Sequence, residues 1–472
     1  MNVYHAIKES LHALTHLSSV GLRQQLLNAL WESLRATHHI PLAFADEATF
    51  LYNGDAERVQ WNGDFNRWGG QSNPPSQGKR IGKSDIWMLE RNFPSDARLD
   101  YKIVLNGKHW MLDPANPFVC VSGYGASSEL RMPMFFYPPA LSRRADVKPG
   151  TMSETFTIQS RHLGYAINFS VYTPSGSEHR SNLPVIYATD GHEYASDEMG
   201  GVAVALDNLI HDKHIKPVLA VFIDPRNPAN PDDNRRMEQY ACNPKFLKFV
   251  TEELVPLIDA TYRTAPTPDA RLILGTSMGG LCAAYFAAKA SNVFHLVAIQ
   301  SPAFWNKPEI FQLIEHAPLV PMRFYMSVGL IYDLHANARR MRDLLELRGY
   351  ELFYREFNQS HSWGNWRGQM EELLRYFWGT LPSHTHHATS HVPNDFVFLP
   401  PTKVIRYTVG RRAKVSLKLY DRFGKTAATL VDKYQTTGRY TVEIPKDQLE
   451  GGVYFYQLCI DKLNRTKTIM VR

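Results

Sequence analysis

Apolar and polar positions along the chain change period four times. In the first forty residues Tyr4, Ile7, Leu11 and Leu14, then Leu26, Leu27, Leu30, Trp31 and Leu34 recur at helical spacing, with "SSVG" between them, which predicts two amphipathic helices joined by a turn. From 43 to 137 short alternating segments such as "ATFLYN", "DIWMLERNF" and "LDYKIVLNG" are separated by Gly, Asn, Pro and Asp, the pattern of a β sandwich with a tight turn at Asn106-Gly107. Across 151–380 short β-rich apolar runs ("LPVIYATDG", "PVLAVFIDP", "RLILGTS", "HLVAIQSP", "RFYMSVG", "ELFYREF") alternate with helix-length amphipathic stretches. That alternation predicts an α/β fold with a doubly wound, mostly parallel sheet covered on both faces. A tether rich in Pro, Ser, Thr and His follows, and its four histidines lack metal-site spacing. Residues 394–472 return to strand alternation, predicting a second β sandwich.

Composition narrows the classes. With 472 residues, 44% of them apolar and 12% aromatic, the chain has material for several buried cores. The net charge of +6 is uneven: residues from 394 onward carry +8 and the remainder −2. The basic residues alternate with Val, Leu, Tyr and Thr, as on the outer face of strands, so the expectation is a solvated surface without nucleic-acid binding. Cys120, Cys242, Cys282 and Cys459 lie too far apart in sequence to suggest a disulfide framework or a zinc site, and no cofactor or metal is expected. No run reaches the roughly 18 apolar residues of a membrane span, and the first residues do not read as a signal peptide. The expected location is cytoplasmic as the sequence stands, with a secreted or cell-surface one left open by the last module.

Candidate chemistry centres on "RLILGTSMGGLCAAYFAAKA". A nucleophilic serine needs exposure at a strand end, a base, an orienter for that base, and donors for an oxyanion. Ser277 follows an apolar strand and precedes a helix of small residues, the context of a nucleophile elbow. In such a fold acid and base follow in chain order, each after a later strand. Asp333 lies after "RFYMSVG" and His361 after "ELFYREF"; His335 competes as base and Glu356 as acid. The amide of Met278 and one at Gly191 or His192, in the loop after "VIYATD", are the expected oxyanion donors.

The series "YATDGHEY", "DPRNPANPDDNRRMEQY", "GTSMGG", "QSPAFWN", "GLIYDLHANAR" and "QSHSWGNW" resembles, in order and spacing, the esterase D superfamily branch that holds enterochelin and feruloyl esterases. The resemblance implies an α/β-hydrolase with the triad Ser277, His361 and Asp333. It places the family's R-x-x-E element on Arg235 and Glu238, as either a loop-bracing ion pair or a cleft wall, and it places Trp305 and Trp363 on the cleft. Gln359-Ser360 stands where the family commonly has Gly-Gly, and Trp305-Asn306 where it often has Trp-Trp; both departures bear on the substrate. "VQWNGDFNRW" and "DYKIVLNGKHWMLDPANP" resemble the early-set domains related to carbohydrate-binding module family 48, which implies possible glycan contact through Trp61, Trp68, Trp87 and Trp110. "LEGGVYFYQL" resembles the Ig-like module of flagellar hook-cap proteins. The expected activity is serine-dependent hydrolysis of a small-molecule or oligosaccharide ester, first a feruloyl or acetyl ester on carbohydrate. A catecholate siderophore ester, acyl transfer to sugars, and a non-catalytic carbohydrate-binding scaffold are the alternatives.

Overall fold

The computed structural model describes residues 7, 9–11, 13–14, 16–37, 40–69, 76–177, 179–379, 396–399, 404–409, 413–420, 426–436, 438–444, 449, 452–460 and 463–471. Tyr4 and the histidine-rich tether fall outside them. The chain divides into two compact units, Met1–Leu381 and Pro382–Arg472. Among the described residues no helix is long and apolar enough to cross a membrane.

In the first unit Ile7, Leu11 and Leu14 lie in helical backbone, and the helix Val20–Thr37 follows. Leu27, Trp31 and Leu34 of Val20–Thr37 are buried with Leu42, Leu51 and Ile86, so the apolar face packs on strands as its spacing requires. Two antiparallel sheets follow. One is ordered Leu42–Phe44, Glu47–Asn53, Ile86–Asn92, Lys79–Arg80. The other is ordered Val59–Gly63, Arg98–Leu105, Gly125–Arg131, Val119–Ser122, with His109–Met111 added to Arg98–Leu105. Asn106 and Gly107 both take positive φ, 53° and 73°, the left-handed turn that an Asn-Gly pair favours. Phe50, Trp61, Leu99 and Tyr101 fill the core of this β domain.

The central sheet has nine strands: β1 Thr151–Met152, β2 Phe156–Gln159, β3 Ala166–Thr173, β4 Val185–Ala188, β5 Leu219–Asp224, β6 Arg271–Thr276, β7 Leu296–Gln300, β8 Arg323–Gly329 and β9 Glu351–Phe357. Their order is β1-β3-β5-β4-β6-β7-β8-β9, with β2 also paired to β3. Pairs from β5 through β4 to β9 are parallel, whereas β3 runs antiparallel to β5. Alternate residues feed opposite cores: Val185, Tyr187, Ile273 and Val297 face one, Ile186, Ala188, Leu272 and Leu274 the other. Burial on both faces explains why these strands read as continuous apolar runs. This is the doubly wound, mostly parallel sheet that the alternation predicts, in the α/β-hydrolase form that the resemblance implies, and its loops at the carboxyl ends of the parallel strands gather the polar residues described next.

The second unit contains two antiparallel sheets, one ordered Phe396–Leu399, Val404–Val409, Gly438–Glu443 and the other Thr426–Gln435, Ala413–Tyr420, Gly452–Ile460, Leu463–Val471. In Ala413–Tyr420 every second residue is buried. Val415, Leu417 and Leu419 enter the core, while half-exposed Lys414 meets Asp432 at 2.8 Å. The strand period thus turns that lysine outward.

Candidate active site

Ser277 sits between β6 and the helix Met278–Lys289 with φ 55° and ψ −115°, a strained conformation for a residue with a side chain. Its neighbours show how the strain is held. The Ser277 N–H donates to the Gln300 carbonyl at 2.9 Å, and its own carbonyl accepts from the Ala303 N–H at 2.9 Å. A Cβ on Gly275 would lie 2.1 Å from the Gly279 carbonyl oxygen, and one on Gly279 would lie 2.4 Å from Thr189 Oγ1. The two glycines therefore let strand, turn and helix close on one another. All residues from Met278 to Ala288 are buried, which is why the helix is built of small side chains.

Two later loops reach the serine. His361, four residues past β9, places Nε2 3.0 Å from Ser277 Oγ. Its Nδ1 lies 2.8 Å from Oδ1 of Asp333, four residues past β8. The Asp333 side chain is fully buried. It accepts hydrogen bonds from Ser301 Oγ at 2.6 Å, the Gly329 N–H at 2.6 Å and the Leu334 N–H at 2.7 Å. Burial pushes its carboxyl upward, but the hydrogen bond and charge of His361, with Ser301 and Gly329, outweigh that and hold it below the ordinary carboxylate value. Trp366 completes the frame: its indole N–H donates to Ser301 Oγ at 2.9 Å, and its ring meets the His361 imidazole edge-to-face at 5.0 Å. The competing residues lie elsewhere in the network. Glu356 is taken up by Arg339 at 2.6 and 2.7 Å, and His335 lines a cavity of about 560 Å³ with Arg67, Leu330, Ile331, Tyr332 and Asp333.

After β4 the chain turns at Asp190, φ 49°, into the short helix Gly191–Tyr194. Gly191, His192 and Met278 occupy first turns of helices, where amides have no intrahelical acceptor. A Cβ on Gly191 would come within 2.2 Å of the Phe222 backbone, so glycine is required where this loop crosses β5. The Asp190 carboxylate, fully buried, accepts from Arg236 Nε and Nη2 at 2.9 and 2.8 Å. Its backbone N–H donates to Tyr240 Oη at 2.8 Å. Burial lowers the His192 pKa, with Asp224 3.4 Å away acting against it. Burial and then the Asp190 charge push the Glu193 carboxyl up to about 7.

Three sequence expectations need correction. Arg235 pairs with Asp233 at 2.9 Å and lies 4.3 Å over the Tyr165 ring, while Glu238 is exposed. The brace is instead Arg236 on Asp190, a partner 46 positions away that sequence proximity does not reveal. Trp363 is 4% exposed and packs edge-to-face on Tyr194 and Trp366, an internal role, whereas Trp305 is 56% exposed. Of the four tryptophans that the resemblance offers as a possible sugar platform, Trp61 and Trp87 are buried, and Trp68 and Trp110 are exposed, at 37% and 45%. Sequence reasoning missed Ser301 and Trp366; Ser301 had a readable signal, since it follows β7 directly in "QSP".

A strained serine at a strand–helix turn, in line with a histidine and a buried aspartate on a doubly wound sheet, defines the α/β-hydrolase class with a Ser–His–Asp arrangement. Residues 160–323 match the family model described as "Putative esterase". The chain is 24% identical to the iron(III) enterobactin esterase of Escherichia coli O6:H1 over 66% of its own length and 84% of that protein. It is 25% identical to the endo-1,4-beta-xylanase/feruloyl esterase of Xylanibacter ruminicola over 35% of this chain and 24% of that one. Its fold is similar to that of the ferric enterobactin esterase of Salmonella typhimurium, with a TM-score of 0.62 at 19% identity over 74% of this chain and 98% of that chain. Sequence and fold thus set this chain beside carboxylic-ester hydrolases, to which it is similar.

Proposed function

We propose that Ser277 is the nucleophile, His361 its proton carrier and Asp333 the orienting acid in a two-step hydrolysis. The observation that carries this reading is the line from Ser277 Oγ through His361 to Asp333, at 3.0 and 2.8 Å. His361 Nε2 takes the hydroxyl proton as Oγ attacks the ester carbonyl. The resulting oxyanion lies against the amides of Met278 and of Gly191 or His192, each worth about 3 kcal/mol in the transition state. Collapse expels the alcohol, which receives the proton from His361, and leaves an acyl-serine. Water, deprotonated by His361, repeats the attack and releases the acid and free Ser277.

For the substrate we favour a small ester with catechol-type acyl groups. The relatives named enterobactin esterase align over 66%, 57% and 44% of the chain, the first a span longer than the α/β domain by itself, whereas the feruloyl esterase relative aligns over 35%. Exposed Trp305 suits an aromatic ring. A carbohydrate-linked feruloyl or acetyl ester is the second reading. It is favoured by the exposed Trp68 and Trp110, whose rings stack with centroids 6.5 Å apart and 25° between planes, a surface suited to sugar faces.

The test is turnover of p-nitrophenyl acetate, methyl ferulate and a catecholate trilactone by the purified chain, beside Ser277→Ala. Loss of turnover in the variant and preference for the trilactone are expected. Undiminished hydrolysis by Ser277→Ala overturns the mechanism, preference for methyl ferulate selects the second substrate, and a burst of p-nitrophenol that stalls until a sugar acceptor is added, with the acyl group then found on the sugar, marks acyl transfer.

A further inference from the structure

The segment that carries His361 is gripped by the β domain. Asn358 Nδ2 donates to Asp96 Oδ1 at 2.7 Å. Gln359 forms a parallel bridge with Arg98. Arg98 Nη1 donates to Ser362 Oγ, one residue past the histidine, at 2.9 Å. Gly364 lies flat against the same guanidinium, since a Cβ there would fall 1.9 Å from Arg98 Cζ.

Arg98 is wholly buried and its fork is fully used. Nε donates to Glu129 Oε1 at 2.8 Å, and Nη2 bridges Glu129 and Asp100. Glu129 is held in turn by Arg131 at 2.7 Å and by the Tyr137 hydroxyl at 2.7 Å. The ligand-type atoms of Asp100, Cys120 and Glu129 come within 4.8 Å of one another, but the guanidinium is bonded among them, so the cluster reads as an arginine socket. Two arms of that fork face the β domain and the third faces the histidine loop, a division that the single ammonium of lysine does not reproduce. Such a buried ion cluster is weak as a source of stability, because desolvation offsets the attraction. Its geometric specificity is what remains to account for it. The acid loop leans the same way: Ile331 packs on the β-domain core and Arg67 lies 4.6 Å over the Tyr332 ring. Ser277, by contrast, is placed by the α/β sheet itself.

We propose that Arg98 is a positioning residue for His361, fixing the 358–364 loop so that Nε2 stays in line with Ser277; the proposal rests on the catalytic reading above. It is tested in the full chain with Arg98→Lys, Ser362→Ala and Gly364→Ala, beside Ser277→Ala and His361→Ala. The measurements are kcat and KM on p-nitrophenyl acetate, the rate at which a fluorophosphonate labels Ser277, and the low-field proton resonance of the His361–Asp333 hydrogen bond. Displacement of a reacting group by about 1 Å costs on the order of a hundredfold, so the first three variants are expected to lose between about tenfold and a hundredfold in kcat and labelling rate. KM should stay near that of the parent, and the low-field resonance should broaden or shift. Should Arg98→Lys fail to fold, Ser362→Ala decides the matter, since it leaves the arginine and its carboxylates in place, whereas Gly364→Ala drives a methyl into the guanidinium. Folded variants with parental kcat and an unchanged resonance, beside inert Ser277→Ala and His361→Ala, overturn the positioning role and leave the catalytic reading standing. Full turnover by Ser277→Ala or His361→Ala overturns the catalytic reading itself.

Discussion

Four donors converge on Asp333, and two consequences follow from how it and Glu193 hold their protons. Asn at position 333 keeps the shape but cannot accept all four hydrogen bonds and favours the wrong imidazole tautomer. Asp333→Asn is therefore expected to lower kcat by about 10⁴-fold, read in steady-state kinetics beside an unchanged circular dichroism spectrum. The folded pKa of Asp333 is depressed. Its stabilisation is thus complete above the unfolded value of about 3.9 and is lost as pH falls through the folded value, so the variant should lose part of the acid limb of the stability curve. Glu193 has the opposite sign. Its folded value is pushed up to about 7, above the unfolded value of about 4.3, so it contributes most below the lower value and less as pH rises through the upper one. Glu193→Gln is expected to flatten the fall in Tm across that window, and an unaltered pH–Tm profile would count against it.

At the scale of elements, the elbow is where packing and chemistry are least separable. Gly279→Ala drives a methyl towards Thr189 Oγ1, at 2.4 Å. Overpacking of this kind costs about 1–3 kcal/mol, and here it also pushes the helix after Ser277 away from the turn that follows Thr189. A lowered Tm together with a fall in kcat is expected; a variant that loses stability but keeps its turnover would show that turn and donor loop move as one body. Much of this region is readable from sequence, because period and chain order carry it: an apolar run must be a doubly covered strand, and Ser277, Asp333 and His361 each follow one. What resists reading is set by long-range geometry. Arg235 and Arg236 are adjacent and chemically alike, and only the fold decides which one meets Asp190. Trp363 and Trp366 lie one helical turn apart, and no local signal tells which touches the imidazole. Arg98 and Asp100 look like an ordinary alternating strand until the histidine loop arrives 264 positions later.

Over the whole molecule, the first unit carries two kinds of architecture with different duties. The α/β sheet carries Ser277 and the turn at Asp190–Tyr194, and the β domain holds the loops that bring Asp333 and His361. A reader of the sequence sees two adjacent modules of familiar texture; the polar seam between them is invisible, because its residues are scattered over strands and loops that each look self-sufficient. The second unit has its own apolar core around Val415, Leu417 and Leu458.

The distribution of indoles gives the molecule a built-in optical probe. Of its nine tryptophans only Trp68, Trp110 and Trp305 are substantially exposed, so iodide should quench those three and spare the rest. In a Trp68→Phe, Trp110→Phe background the quenchable emission belongs to Trp305, two positions from the amide that holds the Ser277 carbonyl. Formation of an acyl-serine should then appear as a loss of iodide access on the timescale of the first chemical step, and stopped-flow emission that ignores acylation would place Trp305 away from the bound acyl group.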